Sequence, residues 1–169
     1  RGEHFPKLNA PFYGIDSGGF TELSDWGGWR KDADEFGGMI ARFVEDIGAP
    51  PVFASPQDWM CEAVVVNGGT FKGRRFVGTG LTVRDHLELT VENYCYLVEN
   101  FPFIEWAAVL QGDELEDYQL CEDLYRAAGV DLTHVRVVGL GSVCRRQATR
   151  EIGEIVTMLY RRGYRLHGY

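Results

Sequence analysis

The sequence predicts an α/β fold, a partial (β/α)8 barrel with about five parallel strands and four helices. Short apolar runs alternate with amphipathic segments, and the amphipathic segments are bounded by helix-capping residues. Such alternation produces a parallel sheet with right-handed crossovers. A complete barrel needs about 250 residues. Residues 1–169 are therefore expected to form one domain that is a truncated part of such a barrel. A doubly wound open sheet is the alternative.

Four segments combine a capping residue with the 3.6-residue apolar period of a helix. Asp32 followed by Glu35 is a typical helix start, and Thr82 followed by Asp85 is a weaker form of the same pattern. Glycines follow three of the segments, as they do at helix C-termini. The helices are expected from Asp32 to Gly48, from Thr82 to about Val98, from about Glu114 to Ala128, and from Thr149 to Gly163.

The strands are expected in the short apolar runs between these helices. One further segment, Val64–Thr79, is typical of a β-hairpin around Asn67-Gly68-Gly69, inserted between the second strand and its helix. The five parallel strands are expected in Pro11–Ile15, Pro51–Ala54, Trp106–Leu110, Val135–Leu140 and Tyr164–Leu166. We expect them to follow one another in chain order.

Composition excludes several classes of protein. A net charge of −8 and a pI near 5.0 argue against tight, sequence-independent nucleic-acid binding, although one local basic patch is compatible with them. The four cysteines form no CxxC pair, which favours reduced thiols in the cytoplasm and no metal site. No apolar run reaches the roughly 20 residues of a membrane span. Because the chain begins with Arg1 and ends at Tyr169, after a strand-like run, we expect a longer parent protein.

Polar or glycine residues follow every predicted strand. In parallel α/β folds ligands bind at the carboxyl ends of the strands, so these residues are the candidates for a site. Taken singly, each also fits an ordinary turn or cap. The segments are Asp16-Ser17-Gly18-Gly19-Phe20, Ser55-Pro56-Gln57-Asp58-Trp59-Met60, Gln111-Gly112-Asp113, Gly139-Leu140-Gly141-Ser142 and His167-Gly168-Tyr169.

Together these groups match the edge of a purine. Asp16 and Asp58 bring two carboxylates, Gln111 brings a carboxamide, and the glycines bring backbone N–H groups. Guanine offers N1–H and N2–H2 donors, which one carboxylate accepts side by side, and an O6 acceptor, which needs an amide donor. An aromatic or methionine side chain is expected to form the stacking wall. The candidates for the wall are Phe20, Trp59 and Met60.

Four motifs in chain order resemble the tRNA-guanine transglycosylase family. Asp16-Ser17-Gly18-Gly19-Phe20 resembles its DSGGF motif, and Asp58 falls where that family has its base-reading aspartate. Val109-Leu110-Gln111-Gly112 and Val138-Gly139-Leu140-Gly141 are similar to its VQG motif and its glycine-leucine strand end.

Two longer segments narrow the resemblance to one branch. Residues 56–62 and 141–147 are similar to the deazapurine DNA-modification branch, queuine tRNA-ribosyltransferase-like proteins of phages and bacterial gene clusters. The resemblance implies a barrel enzyme that replaces guanine by a 7-deazapurine in DNA or tRNA. Partner proteins from the same modification cluster are also implied.

The resemblance also implies residue roles. Asp58 would read the N1 and N2 edge of guanine, and Gln111 with a backbone N–H near Gly139 or Leu140 would hold O6. Asp16 would be the second, catalytic carboxylate, which orients the base and moves protons, with Ser17 and Gly18 beside it. Independently of the resemblance, the position of His167 after the fifth predicted strand suits a residue that orients a substrate or another side chain, or that caps the strand end. An aspartate attacks the ribose C1′, guanine leaves, and the deazapurine displaces the enzyme.

In the resembled family, the nucleophilic aspartate and a zinc site of cysteines and histidine come after the strand that corresponds to Tyr164–Tyr169. We therefore expect no cofactor within this chain and no activity from the chain alone. The alternatives are a non-catalytic guanine or nucleic-acid binding module and an unrelated barrel hydrolase that uses Asp16 and Asp58 as acid and base.

Several arginines are candidates for nucleic-acid contacts. Arg74 and Arg75 lie in the hairpin insert, and Arg145 and Arg146 lie at the fourth strand–helix junction with Arg150. Arg161 and Arg162 fit a solvated helix C-terminus better. Cys144, beside two of these arginines, is either a thiol of lowered pKa or a packed side chain.

Overall fold

The protein is described by a computed structural model that covers residues 12–143 and 149–168. Of the candidate residues, Cys144, Arg145 and Arg146 lie outside the described residues, and so does Tyr169.

All four expected helices are confirmed. Asp32 caps its helix by accepting a hydrogen bond from the Glu35 N–H, and Thr82 and Asp85 form a reciprocal capping box. Thr149 caps the last helix by accepting from the Ile152 N–H. With two helices that the sequence did not predict, the described helices are α1 Gly19–Trp26, α2 Ala33–Ile47, α3 Ala63–Asn67, α4 Val83–Asn100, α5 Leu115–Ala127 and α6 Arg150–Arg161.

The two unexpected helices are short and have misleading sequences. Helix α1 begins after Gly18, which has a left-handed φ of 73° and so is typical of a turn. Helix α3 contains three consecutive valines, a composition that favours a strand. Its Val65 side chain is fully buried in a small core with Leu23 and Phe76. Tertiary packing therefore overrides local propensity at both places.

The parallel strands are short and follow one another in chain order. β1 pairs with β2, and β5, β6 and β7 pair in sequence. A parallel bridge between Ala54 and Trp106 joins the two groups, and the Ala107 N–H donates to the Ala54 carbonyl at 2.9 Å. The described strands form no closed barrel and show no reversal of order. Their bounds are β1 Gly14–Ile15, β2 Phe53–Ala54, β5 Ala108–Leu110, β6 Val138–Leu140 and β7 Leu166–Gly168.

The fifth parallel strand lies later than the sequence predicts. The expected segment Tyr164–Leu166 overlaps β7 only at Leu166, since Val138 pairs with Leu166 and Leu140 with Gly168. Tyr164 instead turns its hydroxyl to the Glu122 carboxylate of α5 at 2.7 Å. Tyr164, the aromatic residue with which the predicted strand began, is therefore held by a hydrogen bond to a distant helix. No local sequence pattern encodes such a contact.

The parallel sheet is strongly curved. The rings of Phe53 on β2 and His167 on β7 lie 4.9 Å apart. Three strand spacings of about 4.8 Å each would separate these strands in a flat sheet. Gly14 leaves room for the same Phe53 ring, because a Cβ there would lie 2.8 Å from its Cζ. Phe53 and His167 therefore mark the concave face.

The hairpin insert is present, but its turn is four residues later than expected. β3 Gly69–Phe71 and β4 Arg74–Phe76 pair antiparallel, with Lys72 and Gly73 at φ values of 47° and 80° in the connecting turn. Positive φ at both residues is the geometry of a type I′ turn. The expected turn, Asn67-Gly68-Gly69, instead leads from α3 into β3.

The main core lies between the sheet and helices α2, α4, α5 and α6. Tyr94 of α4 and Tyr125 of α5 meet edge to face with ring centroids 5.4 Å apart. The buried Tyr125 hydroxyl donates to the Val109 carbonyl and accepts from the Val109 N–H, each at 3.1 Å. This fixes β5 against α5. Among the described helices, none has both the length and the apolar character needed to cross a membrane.

Candidate functional site

A cleft of about 440 Å³ opens at the carboxyl ends of β1, β2, β5 and β6. Of the sequence-predicted residues, it brings together Asp16, Ser17, Asp58 and Gln111. Both carboxylates lie on one rim of the sheet, as expected. Its lining is Asp16, Ser17, Gly19, Phe20, Ser55, Asp58, Met60, Glu62, Gln111, Gly141 and Ser142.

Asp58 is the centre of the site. Its side chain is held from both sides, because the Ser17 hydroxyl donates to Oδ1 at 2.8 Å and Gln111 Nε2 donates to Oδ2 at 2.5 Å. Ser17 also accepts from the Gly19 N–H at 3.2 Å, which ties the start of α1 to the same network. The residue is only 6% exposed. Its orientation is therefore fixed before any ligand binds.

The environment of Asp58 opposes its charge. The pKa of Asp58 is raised to about 6, because burial, the main cause, and the nearby Asp16 carboxylate together outweigh the hydrogen bonds from Ser17 and Gln111, which lower it. Strong perturbation of a carboxyl group in a cleft is typical of functional sites. Asp16 is exposed, and within the described residues no hydrogen bond reaches its carboxylate.

The Gln111 amide is held by a second group of residues. The fully buried Gln111 accepts a hydrogen bond at Oε1 from the Ser142 hydroxyl at 2.7 Å. Gly141 lies directly against this amide, since a Cβ there would be 2.3 Å from Nε2. Only glycine therefore fits at position 141 while Gln111 keeps its hydrogen bond to Asp58.

Ser142 and Glu62 are site residues that the sequence analysis did not assign. The Ser142 hydroxyl accepts a hydrogen bond from the Cys61 N–H at 3.0 Å. Its single hydrogen has two possible acceptors, Gln111 Oε1 at 2.7 Å and Glu62 Oε2 at 3.0 Å. Ser142 has a left-handed φ of 58°, which is rare outside glycine. Both lie in the segments that carried the family resemblance, and Ser142 also ends the segment that follows the fourth predicted strand.

The loop from Ser55 to Glu62 is anchored from behind by α4. The Trp59 N–H donates to Thr90 Oγ1 at 2.9 Å, and Asn93 donates to the Gln57 carbonyl at 2.9 Å. The His86 ring lies between the Met60 carbonyl and Thr79 Oγ1, at 2.6 and 2.7 Å. Burial lowers the pKa of His86. A rigid helix thus positions the loop that carries Asp58.

Of the three candidates for a stacking wall, Phe20 and Met60 line the cleft and Trp59 does not. The Trp59 ring packs against His86, with centroids 5.4 Å apart. The Phe20 ring meets Phe76 of β4 edge to face at 5.7 Å. One wall of the cleft therefore rests on the hairpin.

Four other predicted site residues lie beside the cleft and do not line it. Gly18 caps α1, and Gly139 and Leu140 lie inside β6 between β5 and β7. The N–H groups of a central strand point to its neighbours, and the Gly141 N–H donates to the Leu110 carbonyl. The His167 ring packs on Phe53 at the concave face of the sheet.

The two hairpin arginines differ in their surroundings. Arg74 is ion-paired to Asp25 at 2.8 Å, donates to Ser24, and lies over the Phe20 ring at 4.7 Å. Arg75 is exposed on the opposite face of the hairpin, with no hydrogen bond or ion pair to the rest of the described chain. Arg74 thus anchors the hairpin, whereas Arg75 is available to a ligand.

Within residues 12–143 and 149–168, no group of three or more His, Cys, Asp or Glu side chains is arranged to hold a metal ion. Burial raises the pKa of Cys61 well above its usual value and that of Cys121 to about 12. These two thiols are therefore poor nucleophiles and poor metal ligands.

Comparison with known proteins decides the family. The family model DpdA, DeoxyPurine in DNA protein A, matches residues 4–169. The chain belongs to the DpdA family. DpdA is a deazapurine DNA-modification family related to tRNA-guanine transglycosylase, so the branch that the sequence motifs indicated is the one found. No curated protein and no solved structure matches the chain.

Membership of DpdA points to a transglycosylase-like role in DNA modification, with DNA as the substrate. Membership of this family does not favour the alternative that the chain is an unrelated barrel hydrolase.

Proposed function

We propose that this DpdA chain forms the base pocket of an enzyme that replaces guanine in DNA by a 7-deazapurine. The single observation that carries this proposal is the carboxylate of Asp58, buried in a cleft with both oxygens oriented by Ser17 and Gln111. A carboxylate has about four acceptor positions, and these two hydrogen bonds use two of them. The two that remain match the N1–H and N2–H2 donors of guanine.

Gln111 completes the match to guanine. One hydrogen of its Nε2 points to Asp58 Oδ2. The second amide hydrogen is the donor we assign to O6, in place of the N–H groups of Gly139 and Leu140. Phe20 and Met60, on the lining of the cleft, supply the apolar surface for the ring. A pyrimidine lacks this combination of two adjacent donors and one acceptor, which gives the pocket its selectivity.

The proposed chemistry is a double displacement. An aspartate oxygen forms a bond to the ribose C1′ while the C1′–N9 bond breaks, and the electron pair leaves with guanine, which takes up a proton. The nitrogen of the incoming deazapurine then loses its proton and displaces the aspartate from C1′. Asp16, exposed in the cleft beside Asp58, is the group we assign to moving these protons.

The nucleophile is not among the residues that we assign here. By the family resemblance it comes from a strand after β7, as does the cysteine and histidine zinc site. We accordingly propose that the exchange reaction uses a nucleophile other than the residues assigned here, takes place in the cytoplasm, and involves partner proteins of the same modification system. Within this chain the proposal is base recognition by Asp58 and Gln111.

Replacing Asp58 by asparagine in the full-length protein tests base recognition. The substitution places an amide donor against the donors of guanine and removes a charge-assisted pair. The loss should be about 1.5–3 kcal/mol of binding free energy. Binding of guanine and of a 7-deazaguanine is measured by calorimetry at pH 7.5. Asp113→Asn is the matched control, because Asp113 follows β5 at the same rim but does not line the cleft. Parental guanine affinity in Asp58→Asn would refute the base-reading role.

Replacing Asp16 by asparagine tests the proton-transfer role separately. We expect a larger fall in kcat than in affinity, because general acid–base assistance contributes about 10²–10⁴-fold to the rate. The measurement is release of labelled guanine from DNA, compared with labelled guanine from tRNA. Unchanged turnover would leave Asp16 as a turn residue only. Binding without any guanine release by the parent protein would favour the non-catalytic module.

A further inference from the structure

We propose that the β3–β4 hairpin inserts into duplex DNA and occupies the place of the guanine that enters the cleft. The proposal rests on the proposed function, since it assumes a base-binding cleft. A base inside a duplex is out of reach of an active site and has to be extruded from the stack. Proteins that open a base step commonly insert an apolar side chain there and contact the flanking phosphates with cations. The hairpin presents both kinds of group.

The hairpin is the local exception to the acidic character of the chain. Residues 69–76 contain three cations and no acidic residue, in a chain of net charge −8. Lys72 lies in the turn and Arg75 on the exposed strand face, and Arg75 makes no ion pair with the described residues. Phosphates are the partner that such a charge pattern fits.

The apolar group lies at the tip. Phe71 is 40% exposed and stands directly before the turn, opposite Arg74. The Lys72 ammonium lies 5.5 Å from the Phe71 ring centroid. An aromatic ring and a cation thus lie together at the turn of the hairpin. A ring of this size can stack on the bases next to an extruded nucleotide.

The hairpin is anchored to α1 and contacts a residue that lines the cleft. Phe71, Arg74 and Phe76 share one face, because directly paired and alternate residues of a hairpin point to the same side. Arg74 is held by Asp25 and Ser24 of α1, and Phe76 is buried against Phe20, which lines the cleft. Arg74 is therefore a positioning residue, and the tip lies about 7 Å, two strand residues, beyond the pair Gly69–Phe76.

The test measures base extrusion in the full-length protein. The probe is a duplex with a fluorescent guanine analogue that keeps the N1–H, N2–H2 and O6 edge and brightens on leaving the stack. A companion duplex places the analogue opposite an abasic site, where extrusion costs less. A panel of neighbouring bases covers sequence context. We expect the parent protein to raise emission on both duplexes.

Phe71→Ala should lower the extruded fraction about tenfold on the paired duplex and leave it near the parental value opposite the abasic site. Phe103→Ala is the matched control and should behave as the parent, because Phe103 is a 64% exposed aromatic that precedes the amino end of β5 and does not line the cleft. Parental emission from Phe71→Ala on the paired duplex, or an equal loss on both duplexes, would overturn the proposal. No emission rise from the parent on either duplex would overturn it as well.

Lys72→Gln and Arg75→Gln test the phosphate contacts. Each substitution should weaken binding to both duplexes equally, and it should reduce the slope of log K against log salt by about 1. An unchanged slope in both variants would contradict the contacts. Asp58→Asn separates this proposal from the base pocket. That variant should lose emission on both duplexes. Parental emission from it would refute the role of Asp58 in the base pocket. The hairpin proposal would then still be tested by the difference in emission between Phe71→Ala and the parent.

Discussion

Replacing Arg162 by methionine is expected to lower the free energy of unfolding by about 3 kcal/mol. Arg162, directly after α6, forms a short ion pair with Glu122 of α5, and the Tyr164 hydroxyl donates to the same carboxylate at 2.7 Å. The Glu122 side chain is 1% exposed. Removing the guanidinium leaves a buried charge without its counter-ion. The expected loss is at the low end of the usual range because the Arg162 side chain is 36% exposed.

The measurement is denaturant unfolding followed by circular dichroism. Arg161→Met is the matched control, since the neighbouring arginine is exposed and makes no ion pair with the described residues, and it should change stability by less than about 1 kcal/mol. The double variant Glu122→Leu with Arg162→Met should recover most of the loss, because no charge then stays buried. A double variant as unstable as Arg162→Met would contradict the ion-pair explanation.

Replacing Asp58 by asparagine is expected to raise the free energy of unfolding at pH 7 while it weakens base recognition. The pKa of Asp58 is raised to about 6 in the folded protein from 3.8, mainly by burial. Between these two values the folded state keeps a proton that the unfolded state has lost. Stability from this group therefore falls as pH rises through that window, by about 3 kcal/mol in total. An amide does not titrate, so it escapes this loss.

The hydrogen bonds around Asp58 adapt to the substitution. The Gln111 amide can rotate so that Oε1 accepts from the introduced amide, and Ser142 then gives its hydrogen to Glu62, which is already within 3.0 Å. We expect a net gain of about 2 kcal/mol at pH 7 and no gain at pH 4.

Unfolding at a series of pH values between 4 and 8 measures this difference. Asp113→Asn should keep the parental pH dependence because it leaves the Asp58 carboxyl in place. The guanine affinity of the parent should depend on pH in the opposite way to its stability. It should fall as pH drops below about 6, since a protonated Asp58 loses one acceptor. An Asp58→Asn protein with the parental pH slope would show that another group titrates.

The local chemistry of the sequence predicted the four main helices. Asp32, Thr82 and Thr149 each satisfy an N–H group within three residues, so their effect depends on no distant contact. Apolar runs likewise predicted the order and direction of the parallel strands, since alternating strands and helices permit few topologies. The ends of the strands were less accurate, because they depend on pairing partners, as at β7.

The candidate site was predictable to the extent that its residues follow strands. Asp16, Asp58 and Gln111 come from three strands whose carboxyl ends share one rim, which brings them together without further information. The roles of Ser142 and Glu62 depend on hydrogen bonds across 31 positions, from Ser142 to Gln111, and across 80 positions, from Ser142 to Glu62. No local pattern encodes such contacts.

Local sequence patterns were enough to predict the four main helices, the parallel α/β class and the motifs that resemble the deazapurine DNA-modification branch. The tertiary structure alone decided that Arg74 is an anchor, that Val65 is helical, and that Gln111 leaves no room for a side chain at Gly141. The difference arises from the distance along the chain over which each interaction acts. Capping and periodicity act within one or two turns of chain, whereas burial, ion pairing and the raised pKa of Asp58 depend on which distant groups the fold brings within a few ångströms.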